Sequence, residues 1–238
     1  MGIVLAIACY VSALAFGLGM CFRLWRWVRT PVLYNMPTTP GPRTIPGVVG
    51  RLVAEIVLFR SLFRGRKDLW ALSWCFHVAF LLIVLRHSRY FLYPVPDWSM
   101  AIQTAGYYAA YVLAACALYL LMRRFYDNQT AYVSLNADYL ILLLFLGIAG
   151  TGLTMRYYAA ADLVYIKNFV LGLLAFQPQP LSASWLFDVH LLLVAALVAY
   201  FPFSKLVHVG AAVFSPSRNQ RNIARELPPS KLWDFPVN

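Results

Sequence analysis

Four histidines are the residues of this 238-residue chain that most plainly demand a chemical partner: His77, His87, His190 and His208. Each falls in a stretch apolar enough to cross a membrane. An imidazole in hydrocarbon is costly unless it is hydrogen-bonded between helices or ligates something. The four come in two pairs, ten residues apart in one stretch and eighteen in the other. Two helices with two histidines each can supply both axial ligands to two b-type haems at different depths of a bilayer. A path for a metal or a proton is the functional competitor. It would call for carboxylates beside the histidines, and only Asp188 is near. Interhelical packing is the plain alternative for any one histidine, and four in matched pairs favour ligation. Cys9, Cys21, Cys75 and Cys116 form no C-x-x-C, which gives no support to a cluster or a zinc knuckle, and the absence of C-x-x-C-H excludes covalent c-type haem. They read as small packing residues.

The elements that would hold these residues follow from composition. The chain is 61% hydrophobic and only 12% charged, too little charge for a soluble domain of this size. Its net charge of +11 does not indicate nucleic acid, because the basic residues lie in loops between apolar runs. Five spans are expected, at about 2–26, 69–92, 101–122, 137–157 and 185–212. The first ends in Arg23, Trp25, Arg26 and Trp27 and reads as a retained anchor. Residues 29–68 form a polar loop, with five prolines between Pro31 and Pro46 and an amphipathic helix expected over 50–66 on Leu52, Ile56, Phe59 and Phe63. Gly147, Gly150 and Gly152 in the fourth span allow close approach of a helix or a flat cofactor. The segment 159–176 contains Asp162 and Lys167 and reads as a surface helix, and 213–238 as a polar tail.

Lysine and arginine crowd the 29–68 loop, the end of the third span at Arg123 and Arg124, and the C-terminal region. Arg86, Arg89, Arg156 and Lys167 are the few on the other side. The positive-inside rule then puts the N-terminus outside and the tail in the cytoplasm. The second and fifth spans run antiparallel, so residues at equal depth have a constant index sum. His77 with His208 sums to 285 and His87 with His190 to 277, whereas the crossed pairs give 267 and 295. An inner pair, His77 and His208, and an outer pair, His87 and His190, result. Eighteen residues are about five turns, which would put His190 and His208 on one face; ten residues leave His77 and His87 about 80° apart.

The stretch "FDVHLLLVAALVAYFPFSKLVHVGAA" resembles the last helix of the respiratory nitrate reductase gamma-subunit superfamily, and "CFHVAFLLIVLRHSRYF" its second helix. "LLAFQPQP" matches the surface segment between, and the likeness covers about residues 70–212. It implies an all-α integral membrane protein, a five-helix bundle binding two haems b through His77, His208, His87 and His190. It also implies a quinol/quinone oxidoreductase subunit, on menaquinone or ubiquinone, that does not act alone on a terminal substrate. The proline- and arginine-rich loop is most similar to the DsrM type of the DsrMKJOP complex of sulfur metabolism, with the Hme and Tmc complexes and nitrate reductase as alternatives. The partners implied are a cytoplasmic heterodisulfide-reductase-like iron–sulfur subunit, docking on the basic loop and tail, and further membrane and periplasmic redox subunits, in the inner membrane of a prokaryote.

A quinone pocket is expected beside the outer haem. Arg86 and Arg89 flank His87 and suit either haem propionates or a quinone headgroup, or else serve as snorkelling anchors. Tyr90, Arg156, Asp162, Lys167 and Asp188 share that side as candidates to relay a proton, while Trp98 and Trp185 read as interface belt. A haem-free anchor and a metal transporter are the alternatives of another class.

Overall fold

Hydrocarbon offers a backbone no partner but itself, so apolar runs of this length close their hydrogen bonds within helices. The computed structural model describes residues 2–32, 35–158, 162–179 and 184–223, and all regular structure among them is helical. In chain order the helices are α1 (Gly2–Arg29), α2 (Ile45–Val57), α3 (Arg60–Gly65), α4 (Lys67–His87), α5 (Asp97–Ala101) and α6 (Gln103–Tyr126). Then come α7 (Asn128–Tyr132), α8 (Asn136–Tyr157), α9 (Leu163–Leu174), α10 (Trp185–Tyr200), α11 (His208–Phe214) and α12 (Pro216–Asn219). Five are long and apolar enough to cross a membrane: α1, α4 with the turn that extends it to Tyr90, α6, α8, and α10 with its extension to Phe203. The 12-residue α9 reaches about 18 Å at 1.5 Å per residue, short of a hydrocarbon core of about 30 Å, and so is no sixth span.

One unit comprises residues 1–17 and 71–201. Small residues let its helices close on one another: α6 buries Gly106, Ala109, Cys116 and Ala117, and packs along α8. α8 also packs along α10, where a Cβ on Gly147 would meet Leu193 Cδ1 at 3.2 Å. Phe145 of α8 receives Phe76 and Phe80 of α4 edge-on, with centroids 5.2 and 5.5 Å away. α9 is capped by Asp162, whose carboxylate accepts from the Val164 amide at 2.8 Å. Its Phe169 is fully buried with Leu5 and Ala6 of α1. The Tyr10 hydroxyl donates to the Leu173 carbonyl at 2.9 Å. At one end of these helices Arg124 of α6 meets the buried Asp138 of α8 at 3.8 Å, and the same carboxylate accepts from the Leu135 amide at 3.0 Å.

The second unit comprises residues 18–70 and 202–238. Thr44 caps α2, accepting from the Gly47 amide at 3.2 Å, and Pro46 sits in the first turn, where a missing N–H costs nothing. The amphipathic stretch expected over 50–66 is two helices, α2 and α3. Phe59 breaks it with φ 50°, and the Ser61 amide and hydroxyl donate to the Glu55 carboxylate at 3.1 and 2.6 Å across the corner. The exposed apolar stripe is Ile45, Val49, Val53 and Val57, one position on from Leu52 and Ile56, which are half-buried. α11 and α12 pack on α2, and Arg218 reaches Glu55 at 3.3 Å. Burial pushes the Glu55 carboxyl up, but the Ser61 hydrogen bonds and the Arg218 charge outweigh it and hold it below the usual glutamate range. A carboxyl lowered by folding stabilises above its unfolded pKa, and that contribution is lost as pH falls through the folded value. E55Q should therefore melt below the wild type at pH 7 and converge with it in acid; a gap independent of pH would refute the assignment.

The fifth span is not one helix over 185–212. α10 ends at Tyr200, and 3-10 turns at Phe201–Phe203 and Lys205–Val207 precede α11. Pro202 has no N–H to continue the ladder, and Ser204 caps the following turn by accepting from the Leu206 amide at 3.1 Å. Arg23 Nε donates to the Pro202 carbonyl at 2.9 Å. In the same unit Trp27 lies where a Cβ on Gly210 would be, 2.7 Å away. The tail from residue 224 on lies outside the described residues.

Candidate functional site

The hydrogen bonds of the histidines define their chemistry. Nδ1 of His77 lies 2.7 Å from the Ser73 carbonyl, Nδ1 of His87 2.7 Å from that of Ile83, and Nδ1 of His208 2.9 Å from that of Lys205. A carbonyl only accepts, so each Nδ1 carries the proton and each lone pair is on Nε2. His190 reaches the same state through Thr151. The Thr151 hydroxyl, 2.7 and 3.1 Å from the Gly147 and Ile148 carbonyls, has one proton to give and gives it to them. It therefore accepts from Nδ1 of His190 at 2.8 Å. Orienting one ring nitrogen to expose the other is how a ligating imidazole is prepared. Gly152 leaves room for this ring, since a Cβ there would stand 3.3 Å from Cε1 of His190. His87 and His190 lie within electrostatic range of one another. α4 nevertheless does not pack on α10 as α8 does, among the described residues. Of the three glycines expected to permit close approach, Gly147 admits Leu193, Gly152 admits His190, and Gly150 faces open space.

His208 is exposed and begins α11, beyond the break at Pro202. The five-turn arithmetic that put it on one face with His190 assumed a continuous helix, and Pro202 ends that helix.

The structure separates the two arginines that flank His87. Arg86 turns to α6: its methylenes occupy the space a Gly106 side chain would need, and its guanidinium carbon lies 4.1 Å from the Tyr107 ring centroid. Arg156 of α8 approaches the same ring at 3.5 Å. Arg89 lines a cavity of about 470 Å³ with Tyr90, Tyr93, Lys167 and Asn168, walled by Val95, Leu163, Val164 and Leu171. Tyr90 joins this cavity to the outer pair, its ring centroid 5.8 Å from that of His87. Lys167 Nζ lies 5.0 Å from the Tyr93 ring. Among the described residues none of Arg86, Arg89, Arg156 and Lys167 has an ion pair. Asp162, a candidate for proton relay, is engaged in capping α9 and does not line the cavity.

The nitrate reductase gamma subunit family matches residues 60–225, a span that contains all four histidines and both arginines. The chain belongs to this family. It is also 31% identical to the Hdr-like menaquinol oxidoreductase cytochrome b-like subunit of Archaeoglobus fulgidus, over 94% of this chain and 81% of that protein. The protein of the same name from Archaeoglobus profundus gives the same identity and coverage. Five spans and this membership make the chain an integral membrane protein of the cytochrome b-like kind. Thr151 and Tyr107 went unnoticed in the sequence. The G-T-G at 150–152, one helix away from a histidine, was the available signal for Thr151; nothing marks Tyr107 among 15 tyrosines.

Proposed function

We propose that the chain is the cytochrome b subunit of a menaquinol oxidoreductase, with His87 and His190 holding an outer haem b and His77 and His208 an inner one. The observation that carries this is the outer pair. Two imidazoles, each fixed with its lone pair on Nε2, sit within range of one another on helices that do not pack together, with Arg86 and Arg89 flanking the first and Asp188 two residues from the second. The inner pairing rests on the family's ligand pattern and on the depth arithmetic. Bound haems would supply two one-electron carriers between the two faces of the membrane. Menaquinol rather than ubiquinol is favoured by the relatives' names.

The substrate would occupy the cavity lined by Arg89, Tyr90 and Lys167. A quinol has a flat apolar ring with two hydroxyls, which suits leucine and valine walls with a few convergent donors. Oxidation gives up two electrons and two protons. With the N-terminus outside and the tail in the cytoplasm, the protons would leave outside. The electrons would go to a cytoplasmic iron–sulfur partner docked on the basic loop and tail, in a DsrM-like complex of sulfur metabolism. Reversed flow would reduce quinone instead.

The test is the visible spectrum of the purified chain with dithionite. Reduced b-type bands at about two haems per chain are expected. Folded protein without haem would leave the anchor or transporter alternatives.

A further inference from the structure

Tyr107 of α6 is contacted by two guanidinium groups at 4.1 and 3.5 Å, from Arg86 and Arg156, and no carboxylate answers either among the described residues. Nε of Arg86 is buried and makes no hydrogen bond. Two like charges on one ring at the ends of membrane-spanning helices repel each other, and Arg86 is half-buried with no counter-ion among the described residues, so the arrangement calls for anions. The place is specific. Arg86 precedes His87 in α4, and Arg156 lies one turn beyond Gly152, the residue that makes room for His190. Arg89 takes no part, being turned to the neighbouring cavity.

We propose that Arg86 and Arg156 form a two-cation clamp for the two propionates of the haem ligated by His87 and His190, with Tyr107 as the positioning residue. This rests on the haem assignment above. The charges match, two guanidinium groups to two carboxylates, and a guanidinium binds a carboxylate through two parallel hydrogen bonds. The ring face and the hydroxyl of Tyr107 hold both arginines in place, by cation–π attraction and by hydrogen bonding. The clamp also tunes the haem. A fixed positive charge favours the reduced, more electron-rich state, so each arginine raises that haem's midpoint potential.

The experiment is a spectroelectrochemical titration of the purified full-length chain, with the outer haem identified as the component missing from H190A. R86Q and R156Q should each move that haem's midpoint to lower potential and leave the other haem in place. R156K, which keeps charge but not the fork, should fall between. Y107A, which takes both the ring face and the hydroxyl away from the two guanidinium groups, should lower the midpoint as well. Arg156 is exposed, so R156Q threatens the fold least. An outer midpoint unmoved in R156Q, or an equal shift of both haems, would overturn the clamp. A wild-type chain with no haem would instead overturn the assignment on which the clamp rests.

Discussion

Replacement of His190 by alanine should remove one of two haems, and replacement of His87 should remove the same one. Haem content, measured as the pyridine haemochrome, would drop from about two per chain to about one in either variant. The reduced-minus-oxidised spectra of the two variants would superimpose. His77 and His208 variants would lack the other component and superimpose on each other. The outer pairing has a physical basis in the first unit. Both imidazoles are held with the lone pair on Nε2, one by the Ile83 carbonyl at 2.7 Å and the other by Thr151 at 2.8 Å. With one of the two histidines replaced, a single imidazole would remain to hold the non-covalent group, and its loss on purification is the expected outcome. The decisive contrary result is a shared residual spectrum for H87A and H77A, which would make the pairs run along each helix rather than across to its partner.

The four histidines stand out as candidate ligands in the sequence because an imidazole in an apolar run has few reasons to be there. The spans were legible because α1, α4, α6 and α8 contain no proline to interrupt their apolar runs. Hydropathy averaged over a window cannot see a local break. Phe201, Pro202 and Phe203 are as apolar as their neighbours, so the end of α10 is invisible to it even though Pro202 cannot continue the ladder. The break at Phe59 was hidden for another reason. A phenylalanine carries no turn signal, and its left-handed backbone is set by Ser61 and Glu55 closing around it. Arg86 and Arg89 read as equivalent flanks of His87. They part because α4 ends at His87, which leaves Arg86 on its last turn against Gly106 and Arg89 in the following 3-10 turn beside the cavity. Partners across helices, such as Thr151 for His190, depend on packing that no periodicity encodes.

Neutralising the cavity should separate quinol oxidation from haem binding. In R89Q/K167Q both haems should remain at wild-type content and be fully reduced by dithionite. Their reduction by a soluble menaquinol analogue should slow by roughly 10²-fold. The magnitude follows from the chemistry of the donors. A hydrogen bond to a charged group is worth about 1.5–3 kcal/mol, and each 1.36 kcal/mol of lost transition-state binding is tenfold in rate. Two such bonds set an upper limit well above the figure given, because the glutamine amides retain part of the hydrogen bonding. As a quinol loses electrons and protons, charge develops on its ring oxygens, which fixed cations in a site walled by Val95, Leu163, Val164 and Leu171 stabilise. The proposed acceptor, a haem on His87, would be at hand, since Tyr90 lines the cavity and its ring lies 5.8 Å from that of His87. No carboxylate lines this cavity, so the tyrosine hydroxyls and Lys167 are its groups able to pass on a proton. Equal reduction rates in the variant and the wild type would move the substrate site elsewhere. A matching loss of haem would show that Arg89 and Lys167 support the fold rather than the substrate.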